Sequence, residues 1–361
     1  MAELSFQVLG MTLRNPVLPA AGPPGWNAEA LRRCAEGGAG GLVSKTFSDA
    51  AAVVPHPNMA QITGGFLNTE TWSELPPEQW LNHELPAARA LGLPLIVSLG
   101  YTAKQIAAIA PGVKPYADAI ELSTHYLGDD PRPMMEAIDA AKSATNLPVL
   151  VKLSPMRNMP EAAQAAEAAG ADGIVAVNSF GPTMAIDIET GQPWMGSVDG
   201  AGWLSGPALH PLAVRCVYDV ARTVDLPLFG VGGVARGVDA IEMIMAGAWA
   251  VQVCTEAILR GPKIFGKIAS EINRWLDDHG YANVSDIRGL VHSRLAARTF
   301  RTVAVPPEVD RELCTGCRLC EISCVYQAIR VIDKKAVVEP AKCWGCGLCV
   351  TRCTPRALHI P

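Results

Sequence analysis

The chain has 361 residues, of which 49% are hydrophobic and 18% charged, so it has enough apolar material for a large core and a smaller second domain. A net charge of −5 without any basic tract argues against nucleic acid or an anionic membrane as partners. No apolar run reaches the roughly 18 residues that a membrane span needs, and residues 1–6 lack an export signal. A cytoplasmic location is therefore expected.

Short apolar runs alternate with Ala-rich amphipathic runs over the first 280 residues. The apolar runs resemble strands that are buried on both faces. Several amphipathic runs end at a glycine just before the next strand, as expected for a repeated βα unit. The predicted strands are 16–20, 41–44, 95–98, 119–122, 149–152, 173–177, 226–229 and 249–253, and the predicted helices are 27–37, 77–91, 131–145, 159–169, 209–223, 236–246 and 262–278.

Eight βα units in a chain of this length favour a TIM (β/α)8 barrel over an open doubly wound sheet. Two long connections, at about 46–76 and 178–207, are expected to lie over the catalytic face. Residues 301–307 have the composition of a linker, which predicts domains at 1–305 and 306–361. The second is too small to be held by an apolar core alone and needs metal.

Eight of the 11 cysteines fall between residues 314 and 353, in two runs with the spacing C-x2-C-x2-C-x3-C. In such a run three thiolates bind one [4Fe–4S] cluster and the fourth binds the other cluster. Zinc is the alternative, but zinc sites usually present two separated C-x2-C pairs. The runs therefore predict a bacterial-ferredoxin-like α+β domain with two clusters, one on Cys314, Cys317, Cys320 and Cys353 and one on Cys343, Cys346, Cys349 and Cys324.

Eight segments near the ends of predicted strands carry a family resemblance. They are 15–22 (Asn-Pro-Val-Leu-Pro-Ala-Ala-Gly), 44–48 (Ser-Lys-Thr-Phe-Ser), 65–70 (Gly-Phe-Leu-Asn-Thr-Glu), 151–155 (Val-Lys-Leu-Ser-Pro), 178–179 (Asn-Ser), 204–206 (Leu-Ser-Gly), 230–233 (Gly-Val-Gly-Gly) and 251–255 (Val-Gln-Val-Cys-Thr). Through them the barrel resembles the FMN domain of the dihydroorotate and dihydropyrimidine dehydrogenases. The order of barrel and ferredoxin domain resembles the C-terminal part of dihydropyrimidine dehydrogenase.

The resemblance implies an FMN site. Glycines after the sixth and seventh strands let backbone N–H groups approach a phosphate. Lys152 ends an apolar strand, where a lysine is costly unless it meets an anion, and the resemblance places it at the N1–C2=O edge of the flavin. Lys45 has a similar place near the ring, and Cys254 contributes its backbone. The implied FMN contacts are Ala20, Ala21, Gly22, Lys45, Thr46, Lys152, Asn178, Ser205, Gly206, Gly232, Gly233, Cys254 and Thr255.

The resemblance also implies substrate contacts. Asn68 and Asn178 match asparagines that hold the substrate over the flavin, and an amide complements a ring C(=O)–NH edge. A lone asparagine is otherwise usually a turn or cap residue. Ser179 lies beside Asn178, Glu70 is positioned to brace Asn68, and Ser123 stands where the family has a further asparagine.

The loop after the fourth strand departs from the family. The family pattern is Asn-Leu-Ser-Cys-Pro, whose cysteine is the acid/base of the pyrimidine enzymes, whereas residues 122–128 read Leu-Ser-Thr-His-Tyr-Leu-Gly. Tyr126 takes the position of the cysteine, and a tyrosine is a usable acid at neutral pH. His125 is the rival because imidazole can act as acid or base. Tyr126, His125 and Lys45 are the candidate catalytic residues, although the first two could merely fill the loop.

The leading hypothesis is an FMN- and iron–sulfur-dependent oxidoreductase that reduces a C=C bond of a small cyclic conjugated carbonyl compound. The alternatives are pyrimidine reduction with Tyr126 or His125 in place of the cysteine, and an electron-transfer subunit of a larger complex. No second Gly-rich βαβ unit for a dinucleotide is visible. Electrons would therefore pass to or from an external ferredoxin or an NAD(P)H-oxidising flavoprotein subunit, in a homodimer or a hetero-oligomer.

Overall fold

A computed structural model describes residues 2–123, 128 and 130–361. The chain forms two compact units, Met1–Leu295 and Ala296–Pro361, which divide ten residues before the predicted boundary. Within the described residues, no helix is both long and apolar enough to cross a membrane.

The part of the first unit that the structure describes contains 14 strands. Their apolar segments are short and bounded by turns, as expected for buried strands. They are β1 (Phe6–Val8), β2 (Met11–Leu13), β3 (Val17–Pro19), β4 (Leu42–Val43), β5 (Met59–Ile62), β6 (Gly65–Asn68), β7 (Leu95–Leu99), β8 (Ala119–Leu122), β9 (Val149–Leu153), β10 (Gly173–Ala176), β11 (Phe180–Thr183), β12 (Gly202–Ser205), β13 (Leu228–Val231) and β14 (Ala250–Val253).

Eight of these strands form one parallel sheet in the order β3-β14-β13-β10-β9-β8-β7-β4. Its two end strands meet, because the backbone N–H of Gly40, just before β4, donates to the carbonyl of Val17 in β3 at 2.7 Å. The sheet is thus a barrel, and its strands are buried along their whole length. The predicted TIM barrel and its eight strands are confirmed, with the seventh strand starting two residues later than predicted.

Helices surround the barrel, and all seven predicted helices are present. Three further helices among the described residues, at 103–113, 255–260 and 290–296, were not predicted. The helices are α1 (Ala28–Glu36), α2 (Pro77–Gln79), a π-helical turn (Trp80–Glu84), α3 (Leu85–Arg89), α4 (Ala103–Val113), α5 (Arg132–Thr145), α6 (Met159–Ala168), α7 (His210–Ala221), α8 (Gly237–Ala246), α9 (Thr255–Arg260), α10 (Ile264–Asp278) and α11 (Leu290–Ala296), with 3-10 turns at Pro23–Gly25, Pro207–Leu209 and Val284–Ile287.

Parts of the two long connections form strands rather than irregular loops. They pair with each other as a four-stranded antiparallel sheet in the order β11-β12-β6-β5. In its register Trp203 lies opposite Asn68, and Ser205 lies opposite Phe66. The sheet therefore fixes the positions of Asn68 and Ser205 by backbone pairing, which a flexible loop would not do.

The second unit is an α+β domain, as predicted. Two short antiparallel strand pairs, one of residues 308–309 with 358–359 and one of residues 329–332 with 335–338, accompany two helices that contact each other. Arg318 and Gly347 stand just before the two helices, both in the left-handed conformation (φ 65° and 79°), so the two cysteine runs have matching backbones. The elements are β15 (Glu308–Val309), α12 (Leu319–Ser323), β16 (Ile329–Ile332), β17 (Lys335–Val338), a 3-10 turn (Pro340–Lys342), α13 (Leu348–Arg352) and β18 (Leu358–His359).

Candidate functional site

A cleft opens at the carboxyl ends of the barrel strands, and each of the eight strands or the loop after it contributes to the wall. Its empty volume, counted to the open mouth, is about 1050 Å³. Active sites of TIM barrels lie at this end. The predicted residues that line it are Ala20, Ala21, Gly22, Lys45, Thr46, Asn68, Glu70, Ser123, Lys152, Asn178, Ser179, Ser205, Gly206, Gly232, Gly233, Cys254 and Thr255. Tyr126 and His125 lie outside the described residues.

Lys152 belongs to a buried polar group on the barrel strands. Its Nζ lies 3.4 Å from Oε1 of Glu121, and Nε2 of Gln252 donates to Oε2 of the same carboxylate at 2.6 Å. The carboxylate compensates the charge of Lys152, which the sequence alone left unpaired. Oε1 of Gln252 has no hydrogen-bond partner among the described residues, although it is buried. A buried acceptor in the cleft wall suits a ligand with a ring N–H group, such as FMN.

Lys45 lies between two carboxylates. Its Nζ is 2.6 Å from Oε2 of Glu70 and 2.7 Å from Oε2 of Glu74. The side chains of Lys45 and Glu70 are only 5% and 10% exposed, while that of Glu74 is 47% exposed. Nδ2 of Asn58 donates to the other oxygen of Glu70. Partial burial raises the pKa of Glu74, but the hydrogen bond and charge of Lys45 outweigh this, and the pKa lies below its ordinary value.

The two candidate substrate asparagines are held by their neighbours. Nδ2 of Asn68 donates to the carbonyl of Trp203 at 3.2 Å, and its Oδ1 accepts from the backbone N–H of Glu70 at 3.2 Å. Glu70 therefore braces Asn68 through its backbone, while its carboxylate binds Lys45 and Asn58. Oδ1 of Asn178 accepts from the backbone N–H of Ser179 at 2.9 Å. An amide group has four hydrogen-bonding positions, so these contacts orient it without using its full capacity.

Gly232 and Gly233 follow the seventh barrel strand at positive φ, 124° and 72°. A Cβ on Gly232 would lie 2.6 Å from Cβ of Ala213, and a Cβ on Gly233 would lie 2.6 Å from Cβ of His210. The glycines are therefore required by close packing on α7 as well as by backbone conformation. Among the described residues their N–H groups donate to no other backbone group. Free N–H groups in a cleft wall fit a phosphate.

Hydroxyl pairs support the same wall. Oγ of Ser205 lies 2.9 Å from Oγ1 of Thr255, and Oγ1 of Thr46 lies 2.8 Å from Oγ of Ser98. Burial raises the pKa of Cys254 to about 11, so its thiol is protonated at neutral pH. This agrees with a packed thiol rather than an acid/base.

Sequence reasoning missed four polar residues of this region: Tyr101, Asn58, Glu74 and Gln252. Burial raises the pKa of Tyr101 to about 12, so its phenol keeps its proton in the cleft at neutral pH. Gln252 lies inside a segment that carried the resemblance, and its place between apolar residues of a strand was a usable signal. Asn58 and Glu74 had no recognisable signal in the sequence. Asn58 contacts Glu70, 12 residues away, and Glu74 contacts Lys45, 29 residues away.

The second unit contains two separate hollows with four cysteines each, with volumes of about 330 and 360 Å³. Cys314, Cys317 and Cys320 line the first hollow, together with Cys353 from the other run. Cys343, Cys346 and Cys349 line the second, together with Cys324. Each hollow thus gathers three cysteines of one run and the last cysteine of the other, which is the predicted grouping.

Backbone amides point at several of these sulfurs. Ala336 donates to Sγ of Cys314 at 3.4 Å, and the backbone N–H that follows each fourth cysteine by four residues, Ala328 and Ala357, donates to that sulfur at 3.3 and 3.2 Å. The bond from Ala336 is the main reason why the pKa of Cys314 lies below its ordinary value. Such donors stabilise the thiolate form that a metal ligand needs. All 11 cysteines are free of disulfides.

The family model for dihydroorotate dehydrogenase matches residues 3–276, and the model for the 4Fe-4S dicluster domain matches residues 313–357. The chain belongs to the dihydroorotate dehydrogenase family. Members of this family bind FMN, so the chain is a flavin-dependent oxidoreductase that acts on CH–CH groups and carries an iron–sulfur domain.

Relatives in this family match about four fifths of the chain. The catalytic subunit of dihydroorotate dehydrogenase B (NAD(+)) from Methanothermobacter thermautotrophicus is 38% identical over 302 residues, which are 80% of this chain and 98% of the relative. The corresponding subunit from Geobacter sulfurreducens is 35% identical, over 80% of this chain and 97% of its own length. About a fifth of this chain has no counterpart in either.

A solved structure of dihydroorotate dehydrogenase from Eimeria tenella, in complex with ferulenol, has the same fold. It superposes with a TM-score of 0.68 at 23% identity and covers 80% of this chain and 89% of its own. At that identity the likeness supports the fold alone.

Proposed function

We propose that this protein reduces a C=C bond of a small cyclic conjugated carbonyl compound, using FMN and electrons relayed through two [4Fe–4S] clusters. One observation carries the proposal: a single chain combines the polar cleft of a dihydroorotate dehydrogenase-like barrel with two four-cysteine hollows. When bound, FMN supplies a hydride to the substrate and exchanges single electrons with the clusters.

The cleft residues divide the work of holding FMN. The N–H groups of Gly232 and Gly233 would bind the phosphate, next to the paired hydroxyls of Ser205 and Thr255. Lys152 would face the part of the ring where negative charge develops, and Glu121 supplies a counter-charge 3.4 Å from its ammonium group. Because this ammonium group is buried in the cleft wall, its charge would be in place before the reaction begins.

Asn68 and Asn178 would hold a ring C(=O)–NH edge of the substrate, with Ser123 and Ser179 beside it. Reduction of a C=C bond requires a hydride at one carbon and a proton at the other. Tyr126 is proposed to deliver that proton, with His125 as the rival. The Tyr126→Phe and His125→Gln variants test this step, and full turnover in both would rule out the assignment.

Each hollow would hold one cluster on its four cysteines, passing electrons one at a time to or from a carrier outside the chain. The relatives are named as catalytic subunits of an NAD(+)-dependent enzyme, which implies a further subunit in those proteins. We propose a comparable arrangement here, with a ferredoxin or an NAD(P)H-oxidising flavoprotein subunit as the carrier, in a homodimer or a hetero-oligomer.

Pyrimidine reduction is the second candidate, because Asn68 and Asn178 both line the cleft and suit a pyrimidine edge. A purely electron-transferring subunit is less favoured, since its cleft would have no need of two oriented amides beside two buried lysines.

The test is an anaerobic titration of the purified protein with intact clusters. The flavin is reduced with dithionite, and its spectrum is followed as uracil, thymine or cyclic enones are added. Reoxidation by an enone supports the leading proposal, and reoxidation by uracil or thymine supports the pyrimidine alternative. If no ring compound reoxidises the flavin while an oxidised ferredoxin does, the chain is an electron-transfer subunit. The Asn68→Ala variant serves as control and is expected to lose reoxidation by rings but not by ferredoxin.

A further inference from the structure

Lys45, Glu70 and Glu74 form an ion triad. One ammonium group meets two carboxylates at 2.6 and 2.7 Å, so the triad carries a formal charge of −1. Two of the three N–H groups of Lys45 are used in these bonds. Lys45 lines the cleft, and so does Glu70.

The remaining charges of the cleft cancel. Lys152 is paired with Glu121 at 3.4 Å, and Glu256 is paired with Arg260 at 3.1 Å. The described lining residues include no arginine and no histidine. Every described cation of the cleft therefore already faces at least one carboxylate. The charges of the described lining residues sum to zero, and Glu74, which contacts Lys45 from outside the lining, brings the sum over these ion pairs to −1.

A carboxylate on a substrate ring would meet this wall without an uncommitted positive partner. A charge that enters a water-poor site needs an opposite charge or several hydrogen bonds to replace its hydration. Like charges at close range inside a protein also repel more strongly than in water. An uncharged ring pays neither penalty and can use the amides of Asn68 and Asn178.

We propose that this cleft selects an uncharged ring and rejects the corresponding ring carboxylate, and that Glu70 and Glu74 set this selectivity. The inference deepens the proposed function and rests on it. The relatives are named for dihydroorotate, which is a dihydropyrimidine carboxylate. This chain would differ from them in the charge of its substrate, with the uncharged analogues of that ring among the candidates.

The two glutamates play different parts. Glu70 is buried and is held by Lys45 and Asn58. It therefore fixes the position of the lysine and also balances the positive charge of the lysine. Glu74 is about half exposed and does not line the cleft itself, but it contacts Lys45 at 2.7 Å. Replacing Glu74 should therefore change the charge with little effect on folding, whereas replacing Glu70 tests the buried partner.

The experiment measures binding rather than turnover. Orotate and uracil differ by one carboxylate, and benzoate and 2-cyclohexenone provide a second charged and uncharged pair. Each compound is titrated anaerobically into the oxidised, FMN-loaded protein with its clusters intact, and Kd is obtained from the change in flavin absorbance. The uncharged member of at least one pair is expected to bind at least about tenfold more tightly than the charged member.

The variants should narrow this preference. The preference is the Kd of the charged compound divided by the Kd of the uncharged compound. Glu74→Gln is expected to lower this ratio about threefold, and the double variant Glu70→Gln with Glu74→Gln about tenfold, because each substitution removes one negative charge beside Lys45. Raising the salt concentration should reduce the effect of Glu74 more than that of the buried Glu70. Glu78→Gln is the matched control, since it removes an exposed carboxylate four residues from Glu74 and should leave the preference unchanged.

Three results would overturn the inference: tighter binding of either carboxylate than of its uncharged counterpart, an unaltered preference in both glutamate variants, or no binding by any of the four compounds. The proposed function fails separately. It fails if uncharged rings bind with the expected preference and yet none of them reoxidises the reduced flavin.

Discussion

The cysteine hollows and the barrel cleft are built from sequence in opposite ways. Each hollow takes three of its four cysteines from a stretch of seven residues, such as Cys314 to Cys320. The cleft draws its wall from all eight strands and from an antiparallel sheet made by two distant insertions. In the hollows, the sequence spacing of three cysteines is enough to predict that they lie together. In the cleft the chemistry depends on partners that only the fold brings together.

The sharpest test of this contrast compares two cysteines of the second run that lie in different hollows, Cys353 in the first and Cys349 in the second. Cys353→Ala should remove the cluster of the first hollow and lower the iron content from about eight to about four per chain. Cys349→Ala should lose the other cluster, so the electron paramagnetic resonance signals that remain after reduction should differ between the two variants. Iron analysis and the spectra together check the assignment.

Cys216→Ala is the control, because this buried barrel cysteine lies outside both hollows and should leave the iron content unchanged. Identical residual spectra in the Cys353 and Cys349 variants would show that Cys353 stays with its own run.

A second prediction concerns the buried pair in the barrel. Lys152→Met leaves Glu121 buried without its cation and should lower the free energy of unfolding by about 3–5 kcal/mol. Adding Glu121→Gln should recover a large part of this loss. Denaturation of the FMN-free protein, followed by tryptophan fluorescence, measures both effects.

Lys142→Met is the matched control, since Lys142 pairs with Asp172 at 2.7 Å where both side chains are about a third exposed. Its loss should be below about 1 kcal/mol. The Lys142–Asp172 pair is the shorter of the two, yet its loss should lower the free energy of unfolding less. The cost of removing the cation depends on how deeply the remaining carboxylate is buried, and not on the length of the ion pair. Equal losses in the two variants would contradict that account.

A smaller effect is expected at the turn after the seventh strand. Gly233→Ala combines positive φ with a Cβ that would lie 2.6 Å from His210, so we expect a loss of about 1–3 kcal/mol and at least tenfold weaker FMN binding. Gly170→Ala also places a side chain at positive φ, 86°, but into open space, and should leave FMN affinity unchanged. Equilibrium titration of the FMN-free variants with FMN measures the affinity.

The same contrast explains what the sequence could predict. The eight barrel strands were recognisable because runs such as 149–153 are buried on both faces and need no partner to be identified. Helix α4 was missed although Thr102 and Gln105 form a capping box, because Pro111 and Gly112 interrupt its last turn. The hairpin of β5 and β6 turns at Gly64, but its pairing with β12 depends on residues more than 130 positions away.

The candidate site shows the same division. Family position identified Lys45 and Asn68, and both line the cleft. The partners that decide what Lys45 can do were not predictable, because Glu70 and Glu74 follow it by 25 and 29 residues and have no periodic relation to it. A motif therefore located the lysine, and only the fold showed how its charge is used.

The exchange of one cysteine between the two hollows has a consequence for synthesis of the protein. Cys320 completes the first three thiols on the nascent chain, yet their fourth partner, Cys353, is added 33 residues later. At a synthesis rate of about 5–20 residues per second, the first three thiols are without their fourth partner for roughly 2–7 s. During that interval they are exposed to oxidation and to competing metals. If each hollow holds the proposed cluster, iron delivery is best timed after both runs have emerged, so that the two hollows are loaded together.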